Sequence, residues 1–258
     1  MSPSTTLAPN LDEKHDWVTV VFMVEDTLFR VPKYHFEKSS EVFQGMFAIP
    51  SGKKDAEGGA EGENISNPIR LEGVKAVDFR CLVEILYPPS ETPWQPGNKT
   101  EDEWKSILRL ATLWRFLRLR SKAIEVLTNE QKMDAVERIL LGRELSVSEW
   151  IQSGYKDLIM QEKPLTEEQV EKIGLSPAVR IFRARETGKL RILNSRSTKC
   201  LTCSRTATLK IPYCNNCDQC HSITLTFYDP SSAQSAVDTE FAAEISQARS
   251  DGAAYQVS

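Results

Sequence analysis

KCLTC at residues 199–203 and YCNNCDQCH at residues 213–221 set Cys200, Cys203, Cys214 and Cys217 in the pattern C-x2-C-x10-C-x2-C, with Cys220 and His221 directly after. A C-x2-C turn puts two thiolates on one side of an ion, and two such turns complete the tetrahedron that zinc prefers. The pattern predicts a structural zinc held by Cys200, Cys203, Cys214 and Cys217. Cys220 or His221 can replace one of them, because CNNCDQC contains two overlapping pairs. The ten-residue spacing is shorter than the commonest zinc template, and free thiols or redox pairs are the competing readings. A catalytic zinc would need an open coordination position and a nearby base, and only Asp218 is at hand. The sixth cysteine, Cys81, falls in a helical apolar stripe and reads as a core residue.

The other chemistry in the sequence is charge. Between Arg180 and Lys210 nine basic residues (Arg180, Arg183, Arg185, Lys189, Arg191, Arg196, Lys199, Arg205 and Lys210) face a single acid, Glu186, in a chain of net charge −4. Such a segment can contact phosphates, but no aromatic platforms lie between its basic residues, and a solvated or internally paired face is the favoured reading. The three histidines are scattered at His15, His35 and His221, and no phosphate-binding glycine loop, G-x-S-x-G or H-E-x-x-H pattern occurs. An enzyme is therefore not expected. No stretch approaches the roughly 18 apolar residues of a membrane span, and the first residues lack the apolar centre of a signal peptide. A cytoplasmic or nuclear protein is expected.

The elements that must carry these residues follow from periodicity. Val18 to Val24 is a nearly continuous apolar run, as in a strand buried on both faces, and Glu25–Asp26 turns it back into Thr27 to Val31. Pro32 opens a short helix with Tyr34 and Phe36. Ser39 or Ser40 caps a second, with Val42, Phe43, Met46 and Phe47 on one face. Residues 51–67, with four glycines and mixed charge, read as a flexible loop. PIRLEGV follows as a third strand. A helix over Ala76 to Tyr87 is predicted to bury Val77, Cys81, Leu82, Ile85 and Leu86. Thr100 and Glu103 form a capping box ahead of Trp104, Ile107, Leu108, Ala111 and Trp114, and a second stripe runs from Leu117 to Leu127 after a bend near Arg115. Helical patterns continue through Val136, Trp150 and Ile159, a capped helix at Thr166, and one opened by Ser176 and Pro177 that ends near Gly188.

Residues 17–128, above all EDTLFRVPKYHFEKSSEVFQGMF, resemble the BTB (POZ) domain, of the type abundant in basidiomycete fungi. The resemblance implies a protein–protein interaction scaffold, commonly homodimeric, sometimes a transcriptional regulator or an adaptor of cullin ubiquitin ligases. The acidic position expected of a cullin adaptor is missing, since Ile49 is followed two residues on by Ser51. The expected fold class is α+β: a small sheet packed with helices, an all-α annex and a Cys-rich zinc-ribbon-like unit. The expected domains are a disordered lead-in (1–16), the BTB-like domain (17–128), the annex (129–189), the Cys-rich unit (190–228) and a disordered tail (229–258). Partners are other proteins, including a second copy; nucleic acid is the alternative through residues 180–210, and no membrane is expected.

Overall fold

Strand β1 (Thr19–Val24) is the middle of a three-stranded sheet of order β2-β1-β3. Its place follows from its composition: Val21 and Phe22 point to opposite faces and both are fully buried, which only a strand flanked on either side and covered on both faces permits. Strand β2 (Thr27–Pro32) returns antiparallel, with Val24 opposite Thr27 and Phe22 opposite Phe29. Strand β3 (Ile69–Arg70) joins β1 in parallel. A computed structural model describes residues 17–49, 61–88, 99–129, 133–194 and 230–256, with the pairs 198–199, 206–207, 209–210 and 213–214. The chain divides into two compact units, residues 1–132 with 255–258, and residues 133–254.

In the first unit Pro32 closes β2 opposite Thr19 and does not open the helix, a strand end being a place where the missing N–H costs nothing. Helices α1 (Tyr34–Ser39) and α2 (Glu41–Ala48) follow. Ser40 caps α2: its hydroxyl accepts from the Phe43 N–H at 3.1 Å and donates to the Trp114 carbonyl at 2.5 Å. Helix α3 (Ala76–Leu86) starts after Lys75, which offers no side-chain acceptor. The turn residue Glu25 supplies one, its carboxylate accepting from the Ala76 N–H at 2.9 Å. The acidic turn of the hairpin thus caps a helix 51 positions away. Helix α4 (Glu101–Leu113) begins with the Thr100–Glu103 capping box, and α5 (Leu117–Asn129) follows a bend at Arg115, whose φ is 54°.

Aromatic rings fill the space between the sheet and these helices. Phe22 sits 5.0 Å from Phe36 and 5.5 Å from both Phe43 and Phe79, Phe36 lies 5.8 Å from Phe116, and Phe43 5.3 Å from Trp114, centroid to centroid. Such pairs add about 0.5–1.5 kcal/mol each beyond the area they bury. Two expectations are corrected here. Val77 is 56% exposed and Phe79 takes the core position of α3, because the larger ring is what reaches Phe22 and Phe29. The loop assigned to residues 51–67 is ordered at its second end: the Gly62 N–H donates to the Asn67 carbonyl at 2.7 Å, and its carbonyl accepts from the Val21 N–H at 2.8 Å. At φ 85°, with a Cβ that would fall 2.8 Å from Ile69, that position requires glycine. Residues 51–60 lie outside the described residues, as do residues 1–16.

The second unit is helical. Helix α6 (Ala135–Leu145) is capped by Asp134, and α7 (Ser148–Met160) packs closely against it. A Cβ on Gly154 would meet the Ala135 carbonyl oxygen and Ile139 Cγ1 at 2.6 Å, so the missing side chain sets that approach. Helix α8 (Glu167–Ile173) carries a Thr166–Gln169 capping box, and α9 (Leu175–Asn194) runs six residues past its expected end at Gly188. Short pairings β4 (Thr198–Lys199) with β5 (Thr206–Ala207), and β6 (Leu209–Lys210) with β7 (Tyr213–Cys214), precede α10 (Pro230–Glu240) and α11 (Ala242–Ala253). The last two helices correct the disordered tail expected over 229–258. Ala233, Val237, Phe241, Ile245 and Ala248 share one face and join Ile139, Ile151, Tyr155 and Ile181 in a single core. The annex accordingly includes the C-terminal helices and does not stop near residue 189.

Candidate partner-binding surface and cysteine segment

The N-terminal end of the β1–β2 hairpin exposes large apolar side chains. The Lys33 N–H donates to the Val18 carbonyl at 2.7 Å, which brings Trp17, Val18 and Tyr34 to the same end of the sheet. They are 59%, 58% and 56% exposed. Leaving three such side chains in water together costs the apolar transfer energy that their neighbours in the core recover. Lys33 lies beside them, its Nζ 4.4 Å from the Phe47 ring centroid and 3.8 Å from Glu37. Val42 and Ile49 are also exposed, at the two ends of α2.

The titratable groups of the first unit are placed for structure. Cys81 is buried as expected, and burial pushes its thiol up from the usual range, so it is less of a nucleophile than a free cysteine. It donates weakly to Glu103 at 3.7 Å, while Lys99 pairs with Glu84 at 2.8 Å. Burial lowers the pKa of His35, and its backbone N–H donates to the Tyr87 hydroxyl at 3.2 Å. That hydroxyl in turn donates to the Pro32 carbonyl.

In the second unit, a hollow of 450 Å³ is lined by Asp134, Asp157, Gln161, Thr166, Glu168, Gln169 and Lys172 among others. Its polar groups already serve the fold: Asp134 caps α6, Asp157 pairs with Arg138, and Thr166 and Gln169 cap α8. The half-buried polar cluster of this unit escaped the sequence reading. Arg143 meets Glu244 at 2.7 Å and donates to the Tyr155 hydroxyl at 2.6 Å and to the Ile173 carbonyl at 3.1 Å. Burial drives the Tyr155 phenol far above its ordinary range. A polar tail rich in Ser, Ala and Gln gave no sign that Glu244 would reach Arg143.

The described part of the basic segment is paired within the unit. Arg180 donates to the Glu240 carbonyl and Arg183 to the Glu240 carboxylate, each at 3.4 Å, and Arg185 donates to the carbonyls of Gln161 and Lys163. Of the predicted metal ligands, Cys200, Cys203, Cys217, Cys220 and His221 lie outside the described residues. Cys214 ends β7, its backbone opposite Leu209. Among the described residues, no group of three or more His, Cys, Asp or Glu side chains is placed to hold a metal. No helix among them is long and apolar enough to cross a membrane.

Among the described residues the first unit is a small mixed sheet with an aromatic core, five packed helices and an exposed apolar end. Residues 9–131, just under half of the chain, match the family model of the BTB/POZ domain. BTB/POZ domains mediate protein–protein interaction and dimerisation. No curated protein matches the sequence.

Proposed function

We propose that the protein is a non-catalytic interaction scaffold that pairs with a second copy through the exposed end of its BTB/POZ domain. The observation that carries this reading is the group Trp17, Val18 and Tyr34, held apolar and exposed at one end of a domain whose interior is otherwise filled with rings. A surface of this kind gains most by meeting its own symmetric copy, which buries the same residues on both sides. Light scattering on the eluting full-length chain at micromolar concentration tests it. The expected result is a dimer for the native sequence and a monomer for Trp17→Asp with Tyr34→Asp; a native monomer, or a variant that stays dimeric, refutes it.

The cysteine segment is the second part of the proposal. Cys200, Cys203, Cys214 and Cys217, with Cys220 and His221 as alternates, bind one structural zinc whose binding energy folds residues 190–228. The paired C-x2-C spacing supports it, as does the fact that the first pair follows β4 and the second includes the end of β7. Elemental analysis of the purified chain should give close to one zinc, and less than about a tenth of an equivalent rules it out. Nucleic-acid binding by residues 180–210 remains the second reading, and the internal pairing of Arg180, Arg183 and Arg185 weighs against it.

A further inference from the structure

Strand β2 is an outer strand of the sheet, and the hydrogen bonds of its neighbour fix which of its backbone groups point away. On β1 the Val21 N–H donates to the Gly62 carbonyl and the Met23 carbonyl accepts from the Leu71 N–H, so both residues bond toward the β3 side. The alternate residues Val20, Phe22 and Val24 therefore bond toward β2, where they stand opposite Val31, Phe29 and Thr27. The Lys33 N–H on the Val18 carbonyl continues the same alternation. Leu28 and Arg30 are left with their N–H and C=O groups directed outward, and among the described residues no partner reaches those groups. Both side chains are exposed, Leu28 by 44%. Pro32 closes the run, because it has no N–H to offer and its carbonyl accepts from the Tyr87 hydroxyl.

An unpaired edge of this kind is a template for one more strand. Charge decides which strand. Arg30 has no acidic partner among the described residues, and the Arg80 guanidinium lies 5.8 Å from the ring centroid of Phe29, the residue between the two outward-bonding ones. Of the two acids in the adjoining turn, Glu25 is engaged with the Ala76 N–H. A second copy of β2 paired antiparallel about Phe29 would set Arg30 diagonal to its own copy, like charge near like charge. An acidic strand meets the opposite condition. We infer that the free edge of β2 takes an acidic, extended segment of a partner protein as the next strand of the sheet. Leu28 and Arg30 each exchange their N–H and C=O bonds with it, a carboxylate of the segment lies against Arg30, and an apolar side chain lies beside Leu28. The groups used are other than Trp17, Val18 and Tyr34, so the edge does not depend on the self-association proposed above.

The probe is a terminally blocked peptide with two adjacent glutamates between valines, carrying a fluorophore, into which the full-length chain is titrated and followed by polarisation. Binding is expected, weaker by about tenfold for Arg30→Glu, an exposed change that leaves the core untouched. Methylating the peptide's backbone nitrogens removes its donors and keeps its charge, and should weaken binding by about tenfold as well. Amide hydrogen exchange read residue by residue supplies the geometric check. In the free chain the Leu28 and Arg30 amides should exchange faster than those of Phe29 and Val31, and saturating peptide should slow those two by about tenfold. No change in polarisation up to about 0.1 mM protein overturns the inference. So does a methylated peptide that binds as well as its parent, or a bound peptide that leaves the Leu28 and Arg30 amides unslowed. The Trp17→Asp, Tyr34→Asp variant should bind the peptide as the native chain does, whatever its oligomeric state by light scattering; its failure to bind counts against the edge as the site, while a native monomer that binds leaves the edge standing without the dimer.

Discussion

Replacing Ser40 by alanine should unfold the first unit far more easily than the loss of one exposed hydroxyl would. The Ser40 oxygen is both the cap of α2, accepting from Phe43, and the donor that satisfies the Trp114 carbonyl at the end of α4. The residue is 2% exposed, so no water can take its place. Loss of an N-cap costs about 1 kcal/mol, and a buried carbonyl left without its donor about 1–3 kcal/mol more, giving about 2–4 kcal/mol in all. Urea unfolding followed by tryptophan fluorescence reports it, with Trp150→Phe as the common background so that Trp104 and Trp114 of the first unit dominate the signal. Ser40→Gly separates the two contributions. Glycine is a tolerable N-cap, so it keeps most of the first while losing the bond to Trp114. The expected order is native, then glycine, then alanine, with the larger gap between native and glycine. An alanine variant within about 0.5 kcal/mol of native refutes the double role, since surface changes stay inside that range.

Three further outcomes follow from the same geometry. Glu25→Ala leaves the Ala76 N–H at the start of α3 without its acceptor and should lower the stability of the first unit by about 1 kcal/mol, read from the urea midpoint, with the Ala76 amide losing protection first. Gly154→Ala forces a methyl to within 2.6 Å of the Ala135 carbonyl and Ile139, and should cost about 1–3 kcal/mol in the second unit despite alanine's better helix propensity; a higher melting temperature contradicts the close approach of α6 and α7. Tyr155 has a phenol raised by burial, so its neutral form is the one the fold favours: its contribution is complete below the ordinary tyrosine pKa near 10 and is lost as pH rises beyond it. Stability of the second unit should therefore fall by up to about 1.4 kcal/mol per pH unit above pH 10 from this group, and Tyr155→Phe should flatten that slope.

The parts of the fold that were legible in the sequence are those whose signal is local. The apolar run of β1, the Ser40 cap and the capping boxes at Thr100 and Thr166 each fall within a few positions, and each stands where the spacing put it. Long-range events were not legible. Glu25 reads as an ordinary turn acid because its acceptor role depends on where α3 begins, and Phe79 displaced Val77 because ring size, not period, decides which side of α3 meets Phe22. The C-terminal helices were hidden by composition: two of their five buried residues are alanines, which weigh little in any measure of apolar content yet fit a tight groove well. The exposed apolar end was not legible, since nothing in WVTV marks Trp17 and Val18 as exposed while Val20 to Phe22 are buried.

The stacking of Tyr155 on Phe241, inclined by 17°, has a practical use. Two chromophores locked in one fixed, asymmetric arrangement give a near-ultraviolet circular dichroism band that vanishes when either ring tumbles freely. Attachment of the last two helices therefore has a built-in optical readout, and their release can be timed in a stopped-flow instrument without a dye or a tag.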